Sequence, residues 1–422
     1  METYAQILII ASPLFFVFVM AEKLYGKYVK GDDFKYMDMI SSLSSGFTNS
    51  LKDVLGIGVS LLTYSWMVEH WALIKIEYTW LNVFIAFMAL DLTGYIGHRI
   101  NHSVNFFWNQ HLVHHSSEEF NLACALRQSI STFVGFFTIF LVPAALLGVN
   151  FQIIAIVAPL HLFAQFWYHT TYIGKMGWLE KIIVTPSHHR VHHAINPIYL
   201  DKNMGQIFIF WDKWFGTFQE ELDDVPPVYG ITVPVSTWNP IKINFQHIWQ
   251  IIKDSVRAEN WLDSLRVWYK PTGWRPADVE KKYPVEKIEN PYNFKKFYPK
   301  LSGLLAFWTW VQFIITFGFL MYFFKSIGTI QISEMAQYGL YLFLSVYAYT
   351  ELMGKNPLTL WQEFAKNTLG VFMFVNHGDW YGLASFSTIL NYGVLAYFFI
   401  ATIITAYFVL TEMKDTKSVS IA

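Results

Sequence analysis

Long apolar runs constrain this chain more than any motif does. They lie at roughly 5–21, 52–68, 79–97, 131–147, 151–168, 302–324, 336–353 and 384–411, with a ninth near 364–378. About 20 apolar residues in a helix cross a bilayer. Hydrocarbon forces each backbone N–H and C=O to find a partner inside the segment, so such runs are read as helices. The predicted fold class is all-α, a multi-pass transmembrane bundle of about 8–9 spans with a cytoplasmic, histidine-rich cap. Only 14% of residues are charged against 54% apolar, well below the charge of soluble domains. The leader METYAQ lacks the basic residues of a cleavable signal, so the first run is expected to stay as a span.

A net charge of −1 gives no footprint for a nucleic-acid partner. The single cysteine, Cys124, excludes an internal disulfide framework and a cysteine-clustered zinc site. Gly56-Ile57-Gly58 has no third glycine and sits in an apolar run, which argues against a dinucleotide fold. Residues 170–300 hold 17 of the 30 Lys and Arg, and Lys23, Lys27, Lys30 and Lys35 follow the first run. Positive loops stay cytoplasmic. The N-terminus is therefore expected outside, and three crossings bring the chain to His98 on the cytoplasmic face; a hairpin of two further runs returns it there at His169. The expected organisation is a membrane anchor over 1–78, a histidine-bearing domain over 79–220, a Pro- and Trp-rich interfacial segment over 221–300 and C-terminal membrane helices over 301–422. The membrane is either a bacterial inner membrane or the endoplasmic reticulum.

Five of the 14 histidines fall within HRINHSVNFFWNQHLVHH, residues 98–115. His98 and His102 share one helix face. His111, His114 and His115 form H-x-x-H-H, and His189, His192 and His193 repeat that spacing within SHHRVHH. His169 closes the fifth run. Packing has no use for repeated H-x-x-H-H, whereas neutral imidazole is the commonest protein metal ligand. Nine rings at one depth exceed what one four-coordinate ion needs, so a two-metal site is the economical reading. His70, His247 and His377 stand alone and read as ordinary polar residues. His161 reads as lining the cavity, and His188 as either a further ligand or an outer partner. Asp201 and Asn203 either hydrogen-bond the far nitrogens of ligating rings or cap a turn beside Gly205. Glu118 and Asn121 either support the site or belong to a solvated loop. Trp211, Trp214 and Phe215 read as an interfacial aromatic belt.

Imidazole suits zinc, copper, iron and nickel alike, so ligand type alone does not select the metal. Two ions at a membrane edge facing an apolar interior point to a lipid chain. An aliphatic C–H bond offers no leaving group for hydrolysis, which leaves oxidation by activated O₂, usually the work of iron. No haem- or flavin-binding segment is apparent, so an external electron donor is required. A metal transporter or sensor would carry ionisable groups near the midplane; here only Asp91 and His161 lie that deep.

The run H98-x3-H102-x8-H111-x2-H114-H115 with the distal H189-x2-H192-H193 resembles the fatty acid hydroxylase/sterol desaturase superfamily. Within it, QHLVHHSSEEFNLACALRQS, QFWYHT, TPSHHRVHH and DKNMGQIFIFWDKWFGTF resemble the alkylglycerol monooxygenase branch over about residues 79–230. The resemblance implies a non-haem di-iron centre and tetrahydrobiopterin as electron donor. It also implies hydroxylation beside the ether oxygen of an alkylglycerol, releasing an aldehyde. It carries the ligand role to His98, His102, His111, His114, His115, His169, His189, His192 and His193. The family pattern places Glu after the second histidine of the first box, where this chain has Ser103. Desaturation or hydroxylation of another lipid, such as a sterol, carotenoid or sphingoid base, shares the first hydrogen abstraction and stays open.

Overall fold

The segment TWLNVFIAFMALDLTGYIGHRINHS is apolar and contains no proline, and it forms one helix, Thr79–Ser103. The computed structural model describes residues 2–33, 35–60, 63–76 and 79–413. It is largely helical, and among the described residues the one strand pair is two residues long, Val59–Ser60 beside Val134–Gly135, in parallel register. The chain divides into two units, 1–57 with 236–242 and 297–422, and 58–235 with 243–296. This division cuts across the four segments read from the sequence, since the N-terminal helix shares a unit with the C-terminal ones. Residues 414–422 of the last segment lie outside the described residues.

Among the described residues, four helices are long and apolar enough to cross a membrane: Glu2–Lys30, Thr79–Ser103, Gly303–Ser326 and Thr388–Glu412. The remaining runs differ from the expectation for local reasons. The run at 52–68, of which 61–62 lie outside the described residues, is not a single helix. Helix Tyr36–Val54 ends in it, Gly56 turns the chain at φ +65°, and Tyr64–Trp71 starts anew behind an N-cap at Thr63. The run at 131–147 is broken too: Pro143 lacks a backbone N–H and is tolerated only because it opens the short helix Val142–Leu146. The fifth run is helical over Phe151–Phe163 and then turns. The runs at 336–353 and 364–378 are helical, Ile332–Met353 and Thr359–His377, but they bury Glu351, Glu363, Lys366 and Asn367.

In the first unit, Phe47 stacks on Phe313 and Phe317, each at 5.2 Å between ring centres. Glu351 accepts from Asn239 at 2.9 Å and pairs with Lys242 at 2.5 Å. In the second unit, Thr79–Ser103 packs against Phe151–Phe163 around Ala86, Ala144, Ala145, Ile154 and Val157. Residues of the stretch 247–274 grip the histidine-bearing end of that helix. Thr272 donates to the His102 carbonyl at 2.5 Å, Asn105 Nδ2 donates to the Val267 and Trp274 carbonyls, and His247 Nε2 bonds the Asn105 carbonyl.

Candidate metal centre

The imidazoles reach one place from four backbone segments. His98 and His102 leave one face of Thr79–Ser103 one turn apart. His111, His114 and His115 ride a single turn, Leu112–His115 with His111 ahead of it. His169 follows the turn after Phe151–Phe163. His189 and His192 lie on Pro186–His192 and His193 just beyond; Pro186 opens this helix and Thr185 caps it. Arg190 faces the other way, donating to Glu221 through Nε and Nη2 at 2.7 and 2.6 Å and through Nη1 to the Thr170 and Ile173 carbonyls.

The nine rings form two groups. Ligand atoms of His98, His102, His111, His115 and His192 lie within 4.8 Å of one another, and so do those of His114, His169, His189 and His193. In the second group the Nε2 atoms close a circuit: His114 to His169 3.4 Å, His169 to His189 2.8 Å, His189 to His193 3.0 Å and His193 to His114 3.1 Å. In the first, His98 Nε2 is 2.8 Å from His111 Nε2, and His115 Nε2 is 3.0 Å from His111 and 3.2 Å from His102. His115 and His193, one from each group, stack with ring centres 4.3 Å apart.

Proton placement tests whether these residues fit metal. His98, His114, His169 and His192 direct Nδ1 at the carbonyls of Met204, Arg127, Gln165 and Lys202, at 2.9, 3.2, 3.1 and 2.9 Å. A carbonyl only accepts, so each of these Nδ1 atoms carries the proton, and a neutral ring has no second one. Their Nε2 atoms are therefore bare lone pairs. Those of His114 and His169 face each other, and His192 Nε2 is buried with no hydrogen-bond partner. Lone pairs converging on lone pairs call for cations. Two nitrogens about 2.1 Å from a common ion and at right angles across it lie about 3 Å apart, the spacing these atoms adopt. Burial, reinforced by neighbouring rings, pushes His111, His115, His189 and His193 well below the ordinary histidine range, and burial brings His169 down to about 3. The rings are neutral at physiological pH, the form that ligates.

The outer residues divide. Asp201 accepts from His102 Nδ1 at 3.1 Å although its side chain is 69% exposed. Asn203 reaches no ring: its amide donates to the His188 and Gln219 carbonyls, and its φ of +55° marks a turn. His188 joins neither group, because it turns back to cap its own helix at Thr185. Glu118 is also in neither group and lies against Gly230, while Asn121 caps the turn Leu122–Leu126. Ser103 is exposed and donates to the Arg99 carbonyl at 2.6 Å, outside both groups. Trp214 and Phe215 are exposed, but Trp211 is buried and donates to Asp91, so it is no part of an aromatic belt. His161 is held by Asp91 at 2.8 Å and is absent from both groups. The orienting carbonyls of Met204, Arg127, Gln165 and Lys202 had no signature in the sequence, because any residue type supplies a carbonyl.

The fatty acid hydroxylase family profile matches residues 83–217, the stretch that carries all nine rings. An alkylglycerol monooxygenase of Xenopus tropicalis is 33% identical over 325 residues, 75% of this chain and 70% of that protein. The Homo sapiens alkylglycerol monooxygenase is 34% identical over 314 residues, 73% of this chain and 69% of its own. An ornithine lipid hydroxylase of Rhizobium tropici is 24% identical over 155 residues, 37% of this chain and 47% of that protein. No solved structure matches the chain. The chain belongs to the fatty acid hydroxylase family, in the group of lipid monooxygenases that includes the alkylglycerol enzymes.

Proposed function

We propose that the protein binds two iron ions in its two imidazole groups and hydroxylates an alkylglycerol at the carbon beside the ether oxygen. One ion takes His98, His102, His111, His115 and His192; the other takes His114, His169, His189 and His193. Iron held there supplies the activation of O₂ and the oxidation of the C–H bond. The chain's own residues hold and orient. The carbonyls of Met204, Lys202, Arg127 and Gln165 fix the tautomers, and Asp201 fixes His102. The apolar surfaces of helices Thr79–Ser103 and Phe151–Phe163 are where an alkyl chain would lie.

Overall, R–CH₂–O–R′ with O₂, two electrons and two protons gives R–CH(OH)–O–R′ and water. The hemiacetal then collapses to the aldehyde RCHO and the alcohol R′OH. A C–H bond beside oxygen is weaker than an ordinary methylene C–H. A polar head resting at the interface brings that carbon, and not the terminal methyl, to a site at the end of a span. Tetrahydrobiopterin is the proposed external electron donor. The Lys- and Arg-rich loops support a multi-pass arrangement with the histidines on the cytoplasmic face.

The observation that carries this reading is the pair of converging imidazole groups, with the Nε2 atoms of His98, His114, His169 and His192 left bare, within a chain 33% and 34% identical to alkylglycerol monooxygenases. Iron-loaded protein, alkylglycerol, O₂ and reduced pterin should release long-chain aldehyde, with His193→Ala inactive. No aldehyde from any ether lipid, together with hydroxylation of an ester or amide lipid, would move the protein to another substrate class.

A further inference from the structure

Asp91 lies within the apolar helix Thr79–Ser103, seven residues before His98 and so on the same face, and it is fully buried. A carboxylate there is costly unless well partnered. It accepts four hydrogen bonds: from His161 Nε2 at 2.8 Å, the Ile207 N–H at 2.8 Å, the Phe208 N–H at 3.3 Å and Trp211 Nε1 at 2.8 Å. None of these groups belongs to a metal-binding ring.

Each partner nevertheless leads to one. Gln165 Nε2 lies 3.2 Å from His161 Nδ1 and 3.3 Å from the His161 carbonyl, and Tyr168 donates its hydroxyl to Gln165 Oε1 at 3.2 Å. These contacts fix the amide orientation, so His161 Nδ1 accepts and its Nε2–H points at Asp91. The Gln165 carbonyl is the acceptor for His169 Nδ1. On the other side, Ile207 and Phe208 belong to the stretch whose Lys202 and Met204 carbonyls orient His192 and His98. The same stretch pairs with 182–184: Val184 N–H donates to Ile207 O at 2.8 Å and Ile209 N–H to Ile182 O at 3.1 Å. The helix carrying His189 and His192 begins two residues past Val184.

We propose that Asp91, with His161 and Gln165, is a positioning residue of the metal centre: it touches no ligand ring yet sets the carbonyls that hold His169, His98 and His192. Its negative charge also offsets that of two cations whose nine ligands are all neutral. An asparagine would not replace it, because its Nδ2 would face the N–H donors of Phe208 and Trp211. The inference rests on the two-ion reading above.

The experiment compares full-length wild type with His161→Gln, His161→Phe, Gln165→Leu and Asp91→Asn. It measures metal per chain, the optical spectrum and midpoint potential of the iron-loaded protein, and thermal unfolding without metal. Wild type should hold two ions, and His161→Gln, which keeps a donor toward Asp91, should match it. His161→Phe and Gln165→Leu should fold and fall toward one ion per chain, losing the group that contains His169. Asp91→Asn should also lower the metal per chain, and the iron it retains should show a raised midpoint potential, since losing a negative charge favours the reduced state. Two ions and a wild-type spectrum in both His161→Phe and Gln165→Leu would overturn the positioning role. A wild-type potential in a folded Asp91→Asn would overturn the charge role. A wild type that never holds two ions would refute the two-ion reading itself.

Discussion

Single residues here are held by what their unused nitrogens touch. Burial brings His188 and His247, which lie outside the ligand groups, down to about 4. His247 stays neutral against the Asn105 carbonyl and His188 against its own helix cap. Both are neutral when folded and take up a proton near pH 6.5 when unfolded. The unfolded state thus binds more protons between about pH 4 and 6.5, and stability falls as pH falls through that window. Each such ring contributes a slope of about 1.4 kcal/mol per pH unit. Metal-free ligand rings, lowered in the same direction, steepen it. Thermal unfolding of the metal-free protein should therefore show a midpoint that drops steadily from pH 7 to pH 4.5, with His247→Gln reducing the slope. A flat profile would contradict buried neutral imidazoles.

At the scale of elements, close packing transmits the position of one segment to another. Gly94 sits on Thr79–Ser103 where an added Cβ would meet Gln206 Cγ at 2.6 Å. Gln206 belongs to the stretch that orients His98, and its own amide lies 3.1 Å from His98 Nδ1. Gly94→Leu should push this stretch outward, cost about 1–3 kcal/mol of stability and weaken metal binding more than Gly318→Leu, which faces open space. Equal metal affinity in the two variants would refute the coupling. Helix Thr79–Ser103 and the short helical turns that carry both H-x-x-H-H groups were legible in the sequence because apolar length and residue spacing are local properties. The breaks at Gly56 and Pro143 were less so: hydropathy averages over a glycine or proline whose backbone effect is decisive. Asn203 and His188 carried the right residue types for ring support, but backbone satisfaction at a turn and a helix start claimed them.

For the molecule as a whole, orientation in the membrane follows from where cations cluster. Glu220 and Glu259 are exposed, whereas Cys124 is fully buried. In a Cys124→Ser background, Glu220→Cys and Glu259→Cys should react with impermeant thiol reagents only from the cytoplasmic side. Labelling from the opposite side would reverse the proposed topology. Which unit each helix joins was not legible in the sequence, since the partnership of 1–57 with 297–422 is a long-range packing choice. Metal content per chain reads out the nine imidazoles without an intervening step. Wild-type protein, and likewise His70→Ala outside the two groups, should carry close to two iron ions per chain, while His114→Ala, His169→Ala and His192→Ala should each carry fewer. Full metal content in all three site variants, or none in the wild type, would refute a two-iron centre held by these rings.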